Sequence, residues 1–209
     1  MTETLSRREA NKARTREAVT EALRALLEDR PVHEITVDQL AEAADISRRT
    51  FFNYYAGLPA VLIEVFSAYA ADLLAHVDPD QLADGPVQAM RAIVEPSVFP
   101  REFLGWLAAL NRHDSQEEEA FVLVERAVWA EMGRWLQEVL DDLLPQETDP
   151  LYLATLAPSV MHSFAAAEYA WVQDLPRRGT VTDTDIVTFC EHLDRALAHL
   201  QSGWQQPTP

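Results

Sequence analysis

Residues 36–57, TVDQLAEAADISRRTFFNYYAG, constrain the fold more than any other stretch of the chain. Thr36 reads as a helix N-cap. Gln39, three positions on, completes a capping box in which each side chain satisfies a backbone N–H of the other residue. Val37, Leu40, Ala41 and Ala44 follow at helical spacing and give that helix one apolar face. Asp45 interrupts the run, Ile46 is apolar again, and Ser47 caps a second helix. The second helix carries Arg48, Arg49, Thr50, Asn53, Tyr54 and Tyr55. Two short helices joined by a tight turn, at about 36–54, form the layout of a helix-turn-helix. In that layout one helix braces and the next enters a DNA major groove.

The segment also resembles the DNA-binding region of the TetR family of transcriptional regulators. That family pattern is a Thr-capped helix, then Ala-x-x-x-Gly-Val-Ser, then a short helix with Thr-hydrophobic-aromatic-x-aromatic-aromatic, then x-x-Lys. Ala41, Ser47, Thr50, Phe51, Phe52, Tyr54 and Tyr55 sit in register with it. The motif resemblance covers roughly residues 12–62; beyond them only length and helical layout agree. Two positions depart from the pattern. Asp45 stands at the turn Gly, and Asp tolerates the left-handed conformation better than most residues. Leu58 stands at the family's Lys, which removes one phosphate-facing cation per half-site.

The rest of the chain also reads as helices. Helix 1 is predicted from about Arg7 to Glu28, with Ser6 and Glu9 as its capping box and Pro31 beyond its end. Gly57 and Pro59 open a helix over about 58–77. Shorter helices are expected near 86–95 and 101–111, with turns at Pro79 and at Gly85-Pro86. A long helix opens at the Ser115/Glu118 capping box and runs to about Leu144. Asp149-Pro150 starts another, to about Asp174, kinked at Pro158. A loop at Pro176–Gly179 precedes the last helix, capped by Thr182 or Asp183 and ending near Leu200. No strand-like alternation, internal repeat or low-complexity segment is visible. The prediction is an all-α chain of about nine helices. An N-terminal three-helix head covers 1–57, a body covers 58–204, and 205–209 form a flexible tail.

Charge is unevenly spread. The formal net charge is −17, yet residues 1–58 hold nine Arg/Lys against ten Asp/Glu, while 59–209 hold eight against twenty-four. The cations concentrate in the head, and the acidic body restrains loose, sequence-independent DNA binding. No apolar run approaches a membrane span, and the polar N-terminus lacks a signal-peptide core. The single cysteine, Cys190, excludes an intramolecular disulfide framework and Cys-based zinc fingers. These readings predict a cytoplasmic protein with no cofactor and no metal.

Each residue of the head has an expected role. Thr36 and Ser47 cap helices whose free N–H groups can meet phosphates. Arg48 and Arg49 open the recognition helix, where arginine can grip guanine through two hydrogen bonds. Thr50 can meet a thymine methyl or a phosphate, and Asn53 can read adenine. Tyr54 and Tyr55 can reach phosphates, although one of the two is expected to pack inward. The resemblance adds Arg14, Thr15 and Arg16 as backbone contacts. Phe51, Phe52, Leu40 and Ile46 are expected to form the small core that sets the interhelical angle.

One helix-turn-helix rarely binds tightly alone, so a homodimer on a palindromic double-stranded operator is expected. The resemblance places pairing on the last two helices. Candidates are Ala166 and Ala170 on one, and Ile186, Phe189, Leu193, Leu197 and Leu200 on the other. It also implies a small-molecule effector pocket in the body, for which Phe103, Trp106, Trp129, His162, Phe164, Tyr169 and Trp171 are candidates. Both sets have an ordinary alternative, which is core packing. The implied function is a ligand-released transcriptional repressor. The rivals are a helical interaction protein with a degenerate head and, least supported, an enzyme. His192 and His199 lie seven apart, too far for the usual i, i+4 metal pair, and no Gly-rich phosphate loop or nucleophile elbow occurs.

Overall fold

Capping chemistry and proline placement divide the chain into ten α-helices among the described residues. The computed structural model describes residues 7–112, 119–145, 147–175 and 180–203. The helices are α1 (Arg7–Asp29), α2 (Val37–Ala43), α3 (Arg48–Phe52), α4 (Leu58–Leu74) and α5 (Pro79–Asp84), then α6 (Pro86–Ala92), α7 (Arg101–Leu110), α8 (Glu119–Leu143), α9 (Pro150–Asp174) and α10 (Asp183–Gln201). A single 3₁₀ turn, Val32–Glu34, joins α1 to α2. No strand occurs among these residues, so the fold class is all-α. Ser6, the Ser115/Glu118 box, the Pro176–Gly179 loop and the 205–209 tail lie outside the described residues.

Helix α5 was expected to be a turn. The Asp78 side chain accepts from the Asp80 N–H at 3.0 Å, and Pro79 occupies the first turn, where its missing N–H costs nothing. Those two residues suffice for a six-residue helix. Thr182, rather than Asp183, caps α10. Its hydroxyl accepts from the Asp185 N–H, and the Asp185 carboxylate receives the Thr182 N–H. Helix α9 continues through Pro158. There α8 contributes Gly133, and a Cβ at that glycine would lie 3.8 Å from the Pro158 Cα. The small residue lets the two helices approach closely where the proline ring interrupts α9's ladder.

The head packs on the body where α1 meets α7 and α4 and where the 3₁₀ turn meets α8, while α4 itself lies along α8. The Arg24 guanidinium lies 5.9 Å from the Trp106 ring at the first of these. An aromatic ladder then runs through the body. Phe66 meets Phe103 and Trp129, Phe103 and Trp129 meet Phe164, and Phe164 meets Phe189, with centroids 5.3–6.1 Å apart. Such contacts add to the burial of large apolar surfaces and link α4, α7, α8, α9 and α10 in one core. Arg91 of α6 ties the bundle's far end by a bidentate bond to Asp194 of α10, at 2.8 and 3.1 Å.

Candidate nucleic-acid interface and buried carboxylate cavity

The turn between α2 and α3 is built by one residue in an unusual conformation. Asp45 has φ of 53°, the only positive φ among the described non-glycine residues. The Ile46 N–H reaches the Ala41 carbonyl at 2.9 Å, and the Asp45 N–H reaches that of Glu42 at 3.1 Å. These two bonds form a Schellman motif, which normally favours glycine at the left-handed position. Asp occupies it because its short polar side chain tolerates that region better than most residues. The departure at Asp45 therefore leaves the turn intact.

Both expected N-caps are present. The Thr36 hydroxyl accepts from the Gln39 N–H at 3.2 Å, and the Gln39 amide oxygen receives the Thr36 N–H at 2.9 Å. The Ser47 Oγ accepts from the Thr50 N–H at 3.0 Å and lies 2.7 Å from the Thr50 hydroxyl. Thr50 is thus half-buried and engaged with its own cap.

The α3 side chains divide sharply. Phe51 is fully buried, as is Leu40 beneath it, and Ile46 is half-buried. Phe52, expected in this small core, is instead 46% exposed, because α3 turns it away from α2. Arg48, Arg49 and Asn53 are exposed on the same short element. Arg48 is not idle: it donates to both carboxylate oxygens of Asp38 at 2.7 Å, and its guanidinium lies 5.4 Å from the Phe52 ring. Both partners are more than half exposed, so the pair is weak enough, up to about 1 kcal/mol, for a phosphate or base to displace.

The two tyrosines separate. Tyr55 is 4% exposed, and its hydroxyl donates to Glu64 of α4 at 3.0 Å. Glu64 also pairs with Arg16 of α1 at 3.4 Å. Burial first, then the charge and hydrogen bond of Glu64, push the Tyr55 phenol far above the ordinary tyrosine range. This network ties α1 and α4 to the segment that follows α3, and it removes Tyr55 as a phosphate ligand in this conformation. Tyr54 is half-buried and Arg14 exposed. The Thr15 hydroxyl bonds its own helix at the Asn11 carbonyl, 3.0 Å away. Leu58, at the family's Lys position, is buried under the head.

Most of the candidate pocket residues are ladder or core. Phe103, Trp106 and Trp171 are buried, Phe164 packs within the ladder, and the Trp171 indole N–H donates to the Asp185 carbonyl at 2.8 Å. Tyr169 is 61% exposed and faces outward. Of the seven, Trp129 and His162 line one or both of two cavities beside α8, and the other five line neither. One cavity, of about 390 Å³, lies between α8 and α9 and is lined by Glu125, Arg126, Trp129, Gly133, Pro158 and His162 among others. The second, of about 20 Å³, lies where the head meets the body, against Val32, Leu62, Phe66, Asn111, Glu125, Trp129 and Glu168. Glu125 and Trp129 line both.

Glu168 is the unusual group. It is 5% exposed, its Oε1 accepts from the Asn111 amide at 2.9 Å, and its Oε2 is buried without a hydrogen-bond partner. Burial, reinforced by the Glu125 charge and opposed by Asn111 and the Trp129 indole, pushes its carboxyl up to about 8. Burial raises Glu125 as well. A signal was present in the sequence: Glu168 is the lone charge in the apolar run SFAAAEYAW. Glu125, amid alternating acids and apolar residues of α8, carried none.

The candidate dimer stripe is also core. Ile186, Phe189, Leu193 and Leu197 are buried against the chain's own α9, because α9 and α10 pack along their length. Ala170 and Leu200 are half-buried, and Ala166 is exposed. The large apolar groups that α9 and α10 do expose are Leu151, Tyr152, Tyr169 and Val187.

Among the described residues no helix is long and apolar enough to cross a membrane, and no group of three or more His, Cys, Asp or Glu could hold a metal ion.

Comparison with known proteins finds similarity over a short stretch of the sequence. No family model matches the chain. It is 55% identical over 38 residues to the HTH-type transcriptional regulator EthR of Mycobacterium tuberculosis, and equally to that of Mycobacterium bovis. The match spans 18% of this chain and 18% of those relatives. Thermus thermophilus FadR, described as a TetR family transcriptional repressor and solved in complex with lauroyl-CoA, is similar in structure. Its TM-score is 0.48 at 23% identity, over 93% of this chain and 98% of that one. The sequence similarity to the EthR regulators is thus confined to a short stretch of the chain.

Proposed function

We propose that the protein is a TetR-family transcriptional regulator, a homodimeric repressor released from a palindromic operator by a small molecule. The observation that carries the reading is the helix-turn-helix. Its left-handed turn at Asp45 and two capped helices present Arg48, Arg49 and Asn53 to solvent on one short element. The identity with a helix-turn-helix regulator supports it. In this reading Arg48 and Arg49 meet base edges, Asn53 reads adenine, and Arg14 and Tyr54 meet phosphate. Thr15, Arg16, Thr36, Ser47, Thr50 and Tyr55 hold the frame rather than the sequence code, and the N–H groups at the Thr36 and Ser47 caps face the backbone.

The dimer surface is the outward face of α9, where Leu151, Thr155, His162, Ala166 and Tyr169 recur at helical spacing and are exposed. This face replaces the buried α10 stripe as the candidate. The effector enters the cavity between α8 and α9. By linkage, a ligand that binds one spacing of the two heads better than the other changes DNA affinity by that difference. Helix α4 connects the two, since Leu62 and Phe66 line the small cavity while Leu58 and Glu64 anchor the head.

The test is selection of random duplex DNA by the purified protein at moderate salt, with sequencing of the retained pool. Enrichment of a palindrome with half-sites about one helical turn, ~34–36 Å, apart is expected. No enrichment, even at low salt, would overturn the reading in favour of a helical interaction protein.

A further inference from the structure

Two acids on neighbouring helices converge on one water-sized space. Glu168 of α9 and Glu125 of α8 both line the cavity of about 20 Å³, and no Lys or Arg lines it. The Glu168 Oε2 is buried there without a partner. A buried carboxyl oxygen left unmade is unfavourable, and native structures rarely leave one without a reason. Around it stand Phe66 and Phe121, whose ring faces carry negative charge density and attract cations, and Trp129, whose indole N–H favours the charged form of both carboxyls. Glu125 and Trp129 also line the cavity of about 390 Å³ between α8 and α9, which lies within the range of small-molecule sites, about 300–1,000 Å³. Its lining is largely apolar: Val122, Ala130, Met161 and Ala165 among others. Arg126 and His162 of that groove are exposed.

We propose that the effector is a primary alkyl- or arylalkylammonium, its head seated between Glu168 and Glu125 and its apolar body in the groove between α8 and α9. This rests on the reading of the body as an effector domain and adds the ligand's chemical class. The small cavity has room for about one water, which suits a compact ammonium and not a quaternary one. An ammonium carries three donors, and Glu168 Oε2 and the Glu125 carboxylate are acceptors for two of them. An anionic head would face two carboxyls with no cation lining the cavity. The raised proton affinity of Glu168 agrees: without a counter-cation, the site holds a proton instead. The site also explains coupling to the head. Val32 of the 3₁₀ turn and Leu62 and Phe66 of α4 share its wall, so a seated head group presses on the elements that carry the recognition helix.

The probes are decylamine, decanol and decanoate, which share a chain and differ in charge. Each is titrated into the full-length protein at pH 7.5, without DNA, by calorimetry and tryptophan fluorescence. Decylamine should bind, decanol should bind more weakly, and decanoate should not bind. Glu168→Gln keeps the shape and the Asn111 contact but removes the charge. It should weaken decylamine at least about ten-fold, as loss of a buried charge partner does, and leave decanol unchanged. Glu125→Gln should weaken decylamine in the same direction. Chemical unfolding of each variant separates lost binding from lost fold. Absence of decylamine binding, equal binding of decanoate, or an unchanged amine affinity in Glu168→Gln would overturn the proposal. DNA selection run in parallel keeps the readings distinct: a failed amine titration with an enriched palindrome sinks the ligand class alone.

Discussion

Replacing Glu168 by Gln should make the protein more stable at alkaline pH and change little at acid pH. The sign follows from linkage. Burial and the Glu125 charge raise the Glu168 carboxyl to about 8 in the folded chain, while the unfolded chain holds it near the ordinary glutamate value, about 4.3. Between those values the folded state binds the extra proton, so stability contributed by the neutral carboxyl is full below the unfolded value and falls as pH rises towards 8. Above 8 the loss is complete. Each pH unit within the window is worth about 1.4 kcal/mol, so moving from pH 5.5 to 8.5 should destabilise the wild type by about 3 kcal/mol through this group alone. Gln cannot ionise, and its amide can keep the contact with Asn111. Urea unfolding of both proteins at several pH values measures the difference, which cancels the carboxylates they share. Parallel stability profiles would refute the reasoning. So would a variant less stable than wild type at pH 8.5.

Three further outcomes follow from the same geometry. Asp45→Gly should raise stability by roughly 1 kcal/mol, since glycine adopts the left-handed turn without penalty, whereas Asp45→Val should lower it by at least about as much; urea midpoints decide. Tyr55→Phe removes the hydrogen bond to Glu64 and should cost about 1 kcal/mol, while Tyr54→Phe should cost far less, because only the Tyr55 hydroxyl is buried against a partner. Cys190 is buried and its thiol is pushed up to about 11 by that burial, so it should resist a thiol reagent at pH 8 in the native state and react on unfolding; rapid native labelling would contradict its placement.

The sequence carried the head further than the body, for a physical reason. Caps and turns are local. Thr36, Ser47, Asp149 and Thr182 each act on backbone groups two or three residues away, so their helix starts could be read directly, and Asp45 could be placed in the turn from its conformational tolerance alone. Asp78-Pro79 is the same kind of signal, since a proline opens a helix at its first turn as readily as it marks a turn. Facing is harder. Phe52 and Tyr55 lie three apart in one aromatic run, and only the way α3 lies on α2 and α4 decides that the first points out and the second in. The α10 stripe shows the same ambiguity, since Ile186, Phe189, Leu193 and Leu197 fit an interface and a core equally well until α9 is in place. The cavity pair was least legible, because Glu125 and Glu168 meet only through the packing of α8 on α9.

In the proposed function Arg48 and Arg49 deliver sequence-specific DNA binding from the helix-turn-helix. Fluorescence anisotropy on the duplex recovered by selection, for wild type and for Arg48→Ala with Arg49→Ala over a range of salt concentrations, tests it most directly. Wild-type binding should be saturable and weaken steeply with salt, and the double variant should fold normally yet no longer distinguish the recovered duplex from a scrambled one. Equal discrimination by the two proteins would contradict it.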